Sequence, residues 1–276
     1  MVHKSFKELN LSNAFLFAAA LEDKDTCEIV LQCILGEHIH LEDVRAENSI
    51  LFSSDFHSLR LDIYASSHAR VSYNLEMQNE DRHNLPKRSR FHQAEMDITS
   101  LKPGEDYSML APSYVVFICD FDPFSRELYR YTFEEQCVEA DFPLGDEAKR
   151  IFLSTKGNNA ADVPEELIHF LRYVMNSTDE YARQSEDPSI QELHNKVKTL
   201  KASRDLEAKY MLFEELLQDS KADGKAEGKA EGKAEGQQLM LTLIEAMIAD
   251  GRMAEIPRLK SDEEFFESML TMYHVE

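Results

Sequence analysis

Apolar residues in the first 36 positions recur every three or four: Phe6 and Leu9, then Phe15, Leu16, Phe17, Ala18 and Leu21, then Ile29, Val30, Ile34 and Leu35. That spacing predicts two packing helices. Asn10 and Ser12 offer N-capping oxygens to the first, and Gly36 can close the second in a left-handed conformation. From about residue 43 the period falls to two. Leu59, Leu61 and Ile63 alternate with Arg60, Asp62 and Tyr64, and Val71, Tyr73, Leu75 and Met77 alternate with Ser72, Asn74, Glu76 and Gln78. With the polar Ser66, Ser67 and His68 between them, the two runs predict a β-hairpin. Residues 86–101 carry a helical pattern opened by Pro86, which suits only a first helical turn. The unbroken apolar run 114–119 fits a strand buried on both faces. A return at 128–133, a strand at 151–154 and a helix at 164–175 complete an α/β pattern.

Beyond residue 186 the chain is helical in character. Leu193, Val197, Leu200, Leu206, Tyr210, Phe213 and Leu217 form a narrow apolar stripe. Residues 221–236 repeat Lys-Ala-(Asp/Glu)-Gly every four positions. As a helix this sets like charges at i,i+4, and each Gly costs about 0.8–1.0 kcal/mol against Ala, so a marginal helix or flexible tether is expected. The last forty residues read as a small helical module that docks or self-associates, which makes a homo-oligomer the expectation. The expected division is a domain at 1–180, a helical extension at 186–220, the repeat at 221–236 and the module at 237–276.

Composition narrows the class. The 276 residues carry 30 Lys and Arg against 52 Asp and Glu, a formal charge of −22, with 43% apolar residues. That is a folded, acidic protein. Such a charge disfavours non-specific attraction to nucleic acid, which comes from cations neutralising phosphates. Contact with DNA then requires a local basic surface or a bound cation. No apolar stretch reaches the roughly 20 residues of a membrane span, and no secretory leader is evident, so a cytoplasmic location is expected. The four cysteines lack metal-binding spacing and suit a reducing compartment. No phosphate-binding loop, dinucleotide fingerprint or zinc-protease motif occurs, so no nucleotide cofactor is expected.

The sharpest chemistry lies in Asp62 and Glu76-Met77-Gln78. Side chains two apart on a strand share a face, so Glu76 and Gln78 point together, and an antiparallel hairpin can bring Asp62 within reach of both. Two carboxylates with a backbone carbonyl and waters are what a hard cation such as Mg²⁺ takes as ligands. Such an ion activates water and neutralises charge on a phosphoryl oxygen. Polar residues on the solvent face of an amphipathic hairpin would give the same pattern. The apolar neighbours Leu61, Ile63, Leu75 and Met77 favour carboxylates held near a core, where an unpaired charge is expensive.

The strings Arg60-Leu-Asp-Ile-Tyr64, Tyr73-Asn-Leu-Glu-Met-Gln78, Leu85-Pro-Lys-Arg-Ser-Arg-Phe-His-Gln93, Gly104-Glu-Asp-Tyr107 and Tyr114-Val-Val-Phe-Ile-Cys-Asp-Phe-Asp-Pro-Phe124 closely resemble the PD-(D/E)XK nuclease family transposases, the Rpn recombination-promoting nucleases. Tyr131-Thr-Phe133, Phe152-Leu-Ser-Thr-Lys-Gly157 and the Gly-Lys-Ala-Glu repeat continue the match. The resemblance implies a restriction-endonuclease-like core, a central mixed sheet flanked by helices, with a helical C-terminal extension. It also implies Mg²⁺-dependent DNA cleavage, Mn²⁺ being a possible substitute, in recombination or mobile-element biology. By motif position Asp62 and Glu76 are the acidic ligands, the Met77 carbonyl a third, and Gln78 stands where the wider superfamily has a water-orienting lysine. Two departures are visible. Ala14 replaces an acid found in relatives within Asn13-Ala-Phe-Leu-Phe17, and Phe91-His92 replaces a pair of tyrosines.

Arg82, Lys87, Arg88 and Arg90 lie in an acid-free window, 82–94, that suits phosphate contact. Arg90 and Gln93, one helical turn apart, are expected to support the cleft together. His92 has the ordinary pKa of a proton carrier but also suits plain packing. A second window, Lys196, Lys198, Lys201 and Arg204, fits either a DNA-facing stripe or a solvated face. The expectation is a metal-dependent endodeoxyribonuclease. The alternative, favoured by Ala14 and Gln78, is a catalytically weakened member acting as a DNA-binding or assembly protein.

Overall fold

The computed structural model describes residues 5–47, 62–67, 70–260 and 262–275, with the backbone alone at 46–47, 62, 220–223 and 226–237. Leu59, Arg60, Leu61 and His68, on which part of the hairpin expectation rests, lie outside the described residues. Six strands make one mixed sheet: β1 (Leu41–Glu47), β2 (Asp62–Ser67), β3 (Ser72–Gln78), β4 (Ser113–Cys119), β5 (Arg130–Phe133) and β6 (Ala148–Ser154), in the spatial order β1-β2-β3-β4-β6-β5. β2 pairs antiparallel with β1 and β3, β3, β4 and β6 run parallel, and β5 returns antiparallel on β6.

The expected hairpin forms between β2 and β3, with one correction. Ser66 and Ser67 belong to β2 rather than to the turn: Ser67 pairs with Leu41 of β1 and is buried, because β2 lies inside the sheet. The turn is tightened instead by the Ser67 hydroxyl, which accepts from the Val71 amide at 3.1 Å.

Residues paired across neighbouring strands share a face of the sheet. Tyr73, Leu75, Met77, Val116, Ile118, Ile151 and Leu153 therefore line one side, against α1 (Ala14–Leu21) and α2 (Lys24–Leu35), behind which stand α4 (Glu165–Met175) and α6 (Pro188–Lys201). α1 is capped by Asn13, whose side chain accepts from the Leu16 amide, and not by Asn10 or Ser12. Asn10 is committed elsewhere, donating to the Met175 carbonyl and accepting from the Ser177 amide. Gly36 closes α2 at φ 75°, the left-handed cap expected of it.

The opposite face carries Val115, Phe117, Cys119, Phe152 and Tyr131, covered by Leu85 and Met96 of α3 (Leu85–Ser100). The Phe117 and Phe152 rings stack at 5.5 Å, a pair worth about 0.5–1.5 kcal/mol beyond its burial. β3, central and flanked on both sides, is buried from Tyr73 to Met77, so its polar alternation faces α3 and not water. Past β6, Gly157 runs so close to Tyr129 that a Cβ on it would sit 2.5 Å from the Tyr129 amide nitrogen and 2.7 Å from its Cα.

The second basic window is engaged within the chain. Lys196 pairs with Asp23 and Asp25, Lys201 donates to the Ser177 carbonyl, and Lys198 pairs with Asp179, the first residue of α5 (Asp179–Gln184). Hydrogen bonds from Lys198 at 2.8 Å and His194 at 2.9 Å pull the Asp179 carboxyl down to about 2. A carboxylate depressed in the folded state stabilises it above the unfolded pKa of about 3.9, and that contribution is lost as pH falls through the folded value. The melting temperature of the Asp179→Asn protein is accordingly expected to fall less than that of the wild type between pH 5 and pH 2. Parallel curves would refute the assignment.

The chain divides into two compact units, 1–212 and 213–276, and α7 (Arg204–Ala249) continues as helix through the four-residue repeat. Within the second unit, Leu243 and Met247 of α7 pack with Leu259 of a 3-10 segment (Met253–Lys260) and with Phe265 and Met269 of α8 (Glu263–Tyr273). Among the described residues, no helix is long and apolar enough to cross a membrane.

Candidate active site

Ile63 of β2 pairs with Leu75 of β3, and one further step along that antiparallel register sets Asp62 across from Glu76. Because β2 runs against β3, the start of β2 and the C-terminal end of β3 lie at the same edge. Glu76 lies beside Phe117 and Gln78 beside Cys119, so both belong to the α3 face. The Gln78 carbonyl accepts from the Asp120 amide at 2.9 Å and so points to β4. Consecutive carbonyls alternate along a strand, which directs that of Met77 toward β2, the strand that starts at Asp62.

α3 supplies what sits over Glu76. Its sheet-facing stripe runs Leu85, Arg88 and Ser89, His92 and Gln93, then Met96, the spacing of one helical face. Glu76 is only 5% exposed. Its Oε1 accepts from Arg88 Nη2 in a close ion pair and from Gln78 Nε2 at 2.6 Å. Arg88 Nη1 reaches Gln78 Oε1 at 3.2 Å. His92, 1% exposed, places Nε2 3.5 Å from Glu76 Oε2 and Nδ1 3.3 Å from Glu95 Oε2. The carboxylate is thus buried beneath two nitrogen-bearing side chains that share one helical stripe, and its charge is matched by Arg88.

The other expected site residues divide by their place on the helix. Gln93 turns inward, donating to the Ser113 hydroxyl at 2.5 Å and to Asp97 at 3.3 Å, while Arg90 is exposed. The two do not act together: Gln93 braces α3 against β4. Lys87 is exposed on the flank of α3, and Arg82 precedes the helix and pairs with Glu80. Of the four cations in the acid-free window, Arg88 is the one that reaches Glu76 and Gln78 among the described residues, because its place on the stripe faces the sheet.

Three further residues stand near this edge; Asn74 and Glu95 escaped the sequence reading, while Asp120 reads from sequence as a solvated turn or, leaving a buried strand, as an acid that lines a cleft. Asn74 is fully buried on the Glu76 face, with no hydrogen-bond partner for either side-chain atom among the described residues; the alternation Asn74, Glu76, Gln78 is its signal. Glu95, three residues after His92, backs the imidazole. Asp120 leaves β4 at the same sheet edge, and its carboxylate accepts from Lys156 Nζ at 2.8 Å and Thr155 Oγ1 at 3.1 Å.

Among the described side chains, no three His, Cys, Asp or Glu groups converge as a metal cluster. A carboxylate such as that of Glu76 is the donor type that hard cations take, and here its charge is met by Arg88.

The sequence model of the PD-(D/E)XK nuclease family transposases matches residues 14–226. The chain belongs to that family. No curated protein and no solved structure matched it. The matched span takes in the whole six-stranded sheet, and the mixed sheet flanked by helices agrees with a restriction-endonuclease-like fold. Membership in the PD-(D/E)XK family makes a nuclease or transposase-related role the function class, and divalent metals are the general cofactors of such nucleases.

Proposed function

We propose that the chain is a Mg²⁺-dependent endodeoxyribonuclease, with Mn²⁺ as a substitute, cleaving phosphodiester bonds at the C-terminal edge of β3. The observation that carries this reading is the buried Glu76 carboxylate, set by register across from Asp62 and covered by the Arg88–His92 stripe. Packing alone does not call for a carboxylate there, since burying one is costly unless it is compensated. Asp62, Glu76 and the Met77 carbonyl would hold the cation. When bound, it neutralises charge on the scissile phosphate and makes a water nucleophilic near neutral pH.

The chain's own residues do the rest. Gln78, hydrogen-bonded on both ends of its amide, is fixed in orientation and can position a water. Being neutral, it aligns that water by hydrogen bonding and leaves the stabilisation of hydroxide to other groups. Lys87 and Arg90, exposed on the flank of α3, suit phosphates on either side of the cleaved bond. Gln93 holds α3 on the sheet through Ser113, which keeps Arg88 and His92 in place over Glu76.

Supercoiled plasmid and single-stranded DNA incubated with Mg²⁺, Mn²⁺ or EDTA test the reading. Cleavage is expected with either metal, none with EDTA, and none from the Asp62→Ala protein. Undiminished cleavage by that variant would remove Asp62 from the site. One observation favours a second reading, a DNA-binding or assembly protein: Arg88 already compensates Glu76 without a metal. Failure of the folded wild type to cut either substrate would select it.

A further inference from the structure

We infer that Arg88 is a built-in rival of the divalent cation, seated on Glu76 so that an ion can bind there only by displacing it. The inference rests on the metal-site reading above.

One guanidinium engages two of the residues assigned to the site. Arg88 Nη2 is paired with Glu76 Oε1 and Nη1 donates to Gln78 Oε1. Gln78 Nε2 occupies the same Glu76 oxygen at 2.6 Å. An oxygen holding two hydrogen bonds has little capacity left for a metal, His92 Nε2 stands 3.5 Å from the other oxygen, Oε2, and a guanidinium in contact with the carboxylate repels a divalent ion beside it. The two cations are alternatives for a single carboxylate.

The surroundings identify the group that moves. His92 is sealed in, 1% exposed, with its ring 6.0 Å from that of Phe117. Arg88 stands at the border of the stripe, its side chain 28% exposed, next to the exposed Lys87. It can swing outward along the flank of α3 without opening the core. Until it does, it matches the charge of a carboxylate that would otherwise be buried uncompensated.

The consequence is a handicap on metal binding. Apparent affinity falls by the fraction of molecules in the competent state, so a pair closed about nine-tenths of the time weakens binding about tenfold. Calorimetric titration of the full chain with Mg²⁺ and with Mn²⁺, in the absence of DNA, reads this directly. DNA is omitted because its phosphates would themselves ligate the ion.

The Arg88→Ala protein is expected to bind either ion about tenfold more tightly than the wild type and to gain more in melting temperature when Mg²⁺ is added. Arg88→Gln, neutral but of similar reach, carries the same expectation should the alanine variant fail to fold. Equal or weaker binding by the folded variants overturns the rivalry while leaving the nuclease reading intact. No binding by wild type or variants also overturns the rivalry, and the plasmid assay above then decides the nuclease reading.

Discussion

Exchange of Glu76 for Gln is expected to lower the rate of Mg²⁺-dependent DNA cleavage by about 10³-fold or more. Charge stabilisation at a metal-assisted phosphoryl centre is worth several kcal/mol, and each 1.36 kcal/mol is tenfold in rate. Gln keeps the size and shape of the side chain, and its amide oxygen can still accept from Arg88 and Gln78 across the contacts now made by Glu76. What it removes is the negative charge. Single-turnover cleavage, with circular dichroism to verify folding, separates the charge from the packing. A rate within tenfold of wild type would show that Glu76 holds no metal in the reaction, whatever its burial.

The second large effect falls on stability. Gly157→Ala is expected to cost about 3 kcal/mol, because the added methyl would lie 2.5 Å from the Tyr129 amide nitrogen and Cγ and 2.7 Å from its Cα. Those neighbours are backbone and ring root, which cannot step aside as the end of a long side chain would. Tyr129 is held in turn: its amide donates to Asn159 Oδ1 at 2.8 Å and its carbonyl accepts from the Ser154 amide at 3.0 Å. Urea unfolding should move to a lower midpoint at an unchanged slope. A midpoint equal to wild type would mean that the crossing relaxes at little cost. The loop concerned also carries Lys156 to Asp120, so the same substitution disturbs the sheet edge from the side away from α3.

The sequence made the period-two runs, the buried strand at 114–119 and the proline-opened helix legible, because each depends on local alternation and turn chemistry. It made Glu76 and Gln78 legible as neighbours for the same reason: two residues apart on a strand is a geometric statement. It left Arg88 and Arg90 undistinguished, since both are cations in one acid-free window. Only the docking angle of α3 decides that Arg88 faces the carboxylate and Arg90 the solvent. The supposed partnership of Arg90 with Gln93 failed on the same ground, a turn of spacing being insufficient when one residue lies on the buried stripe and the other beside it. The cap of α1 is Asn13, one residue past Ser12 and three past Asn10, and Asn10 instead serves a distant backbone at Met175 and Ser177, which no local pattern reveals. Lys196 and Lys198 resembled a DNA-facing stripe for want of any view of Asp23, Asp25 and Asp179, remote in sequence and adjacent in space.

The parallel arrangement of β3, β4 and β6 sets an order of assembly. The hairpin brings Asp62 and Glu76 into register by itself, but the cover over Glu76 rests on α3, and α3 rests on Phe117 and Phe152, which arrive with β4 and β6. Ser72 finds its partner in Ser113, and Ser113 finds its own in Ala148, so these pairings span long loops whose closure entropy is met before any contact repays it. During synthesis, the two acids are therefore translated well before the scaffold that seats them. The cover over Glu76 is complete only after β6 has been made and docked, a chronology written into strand order.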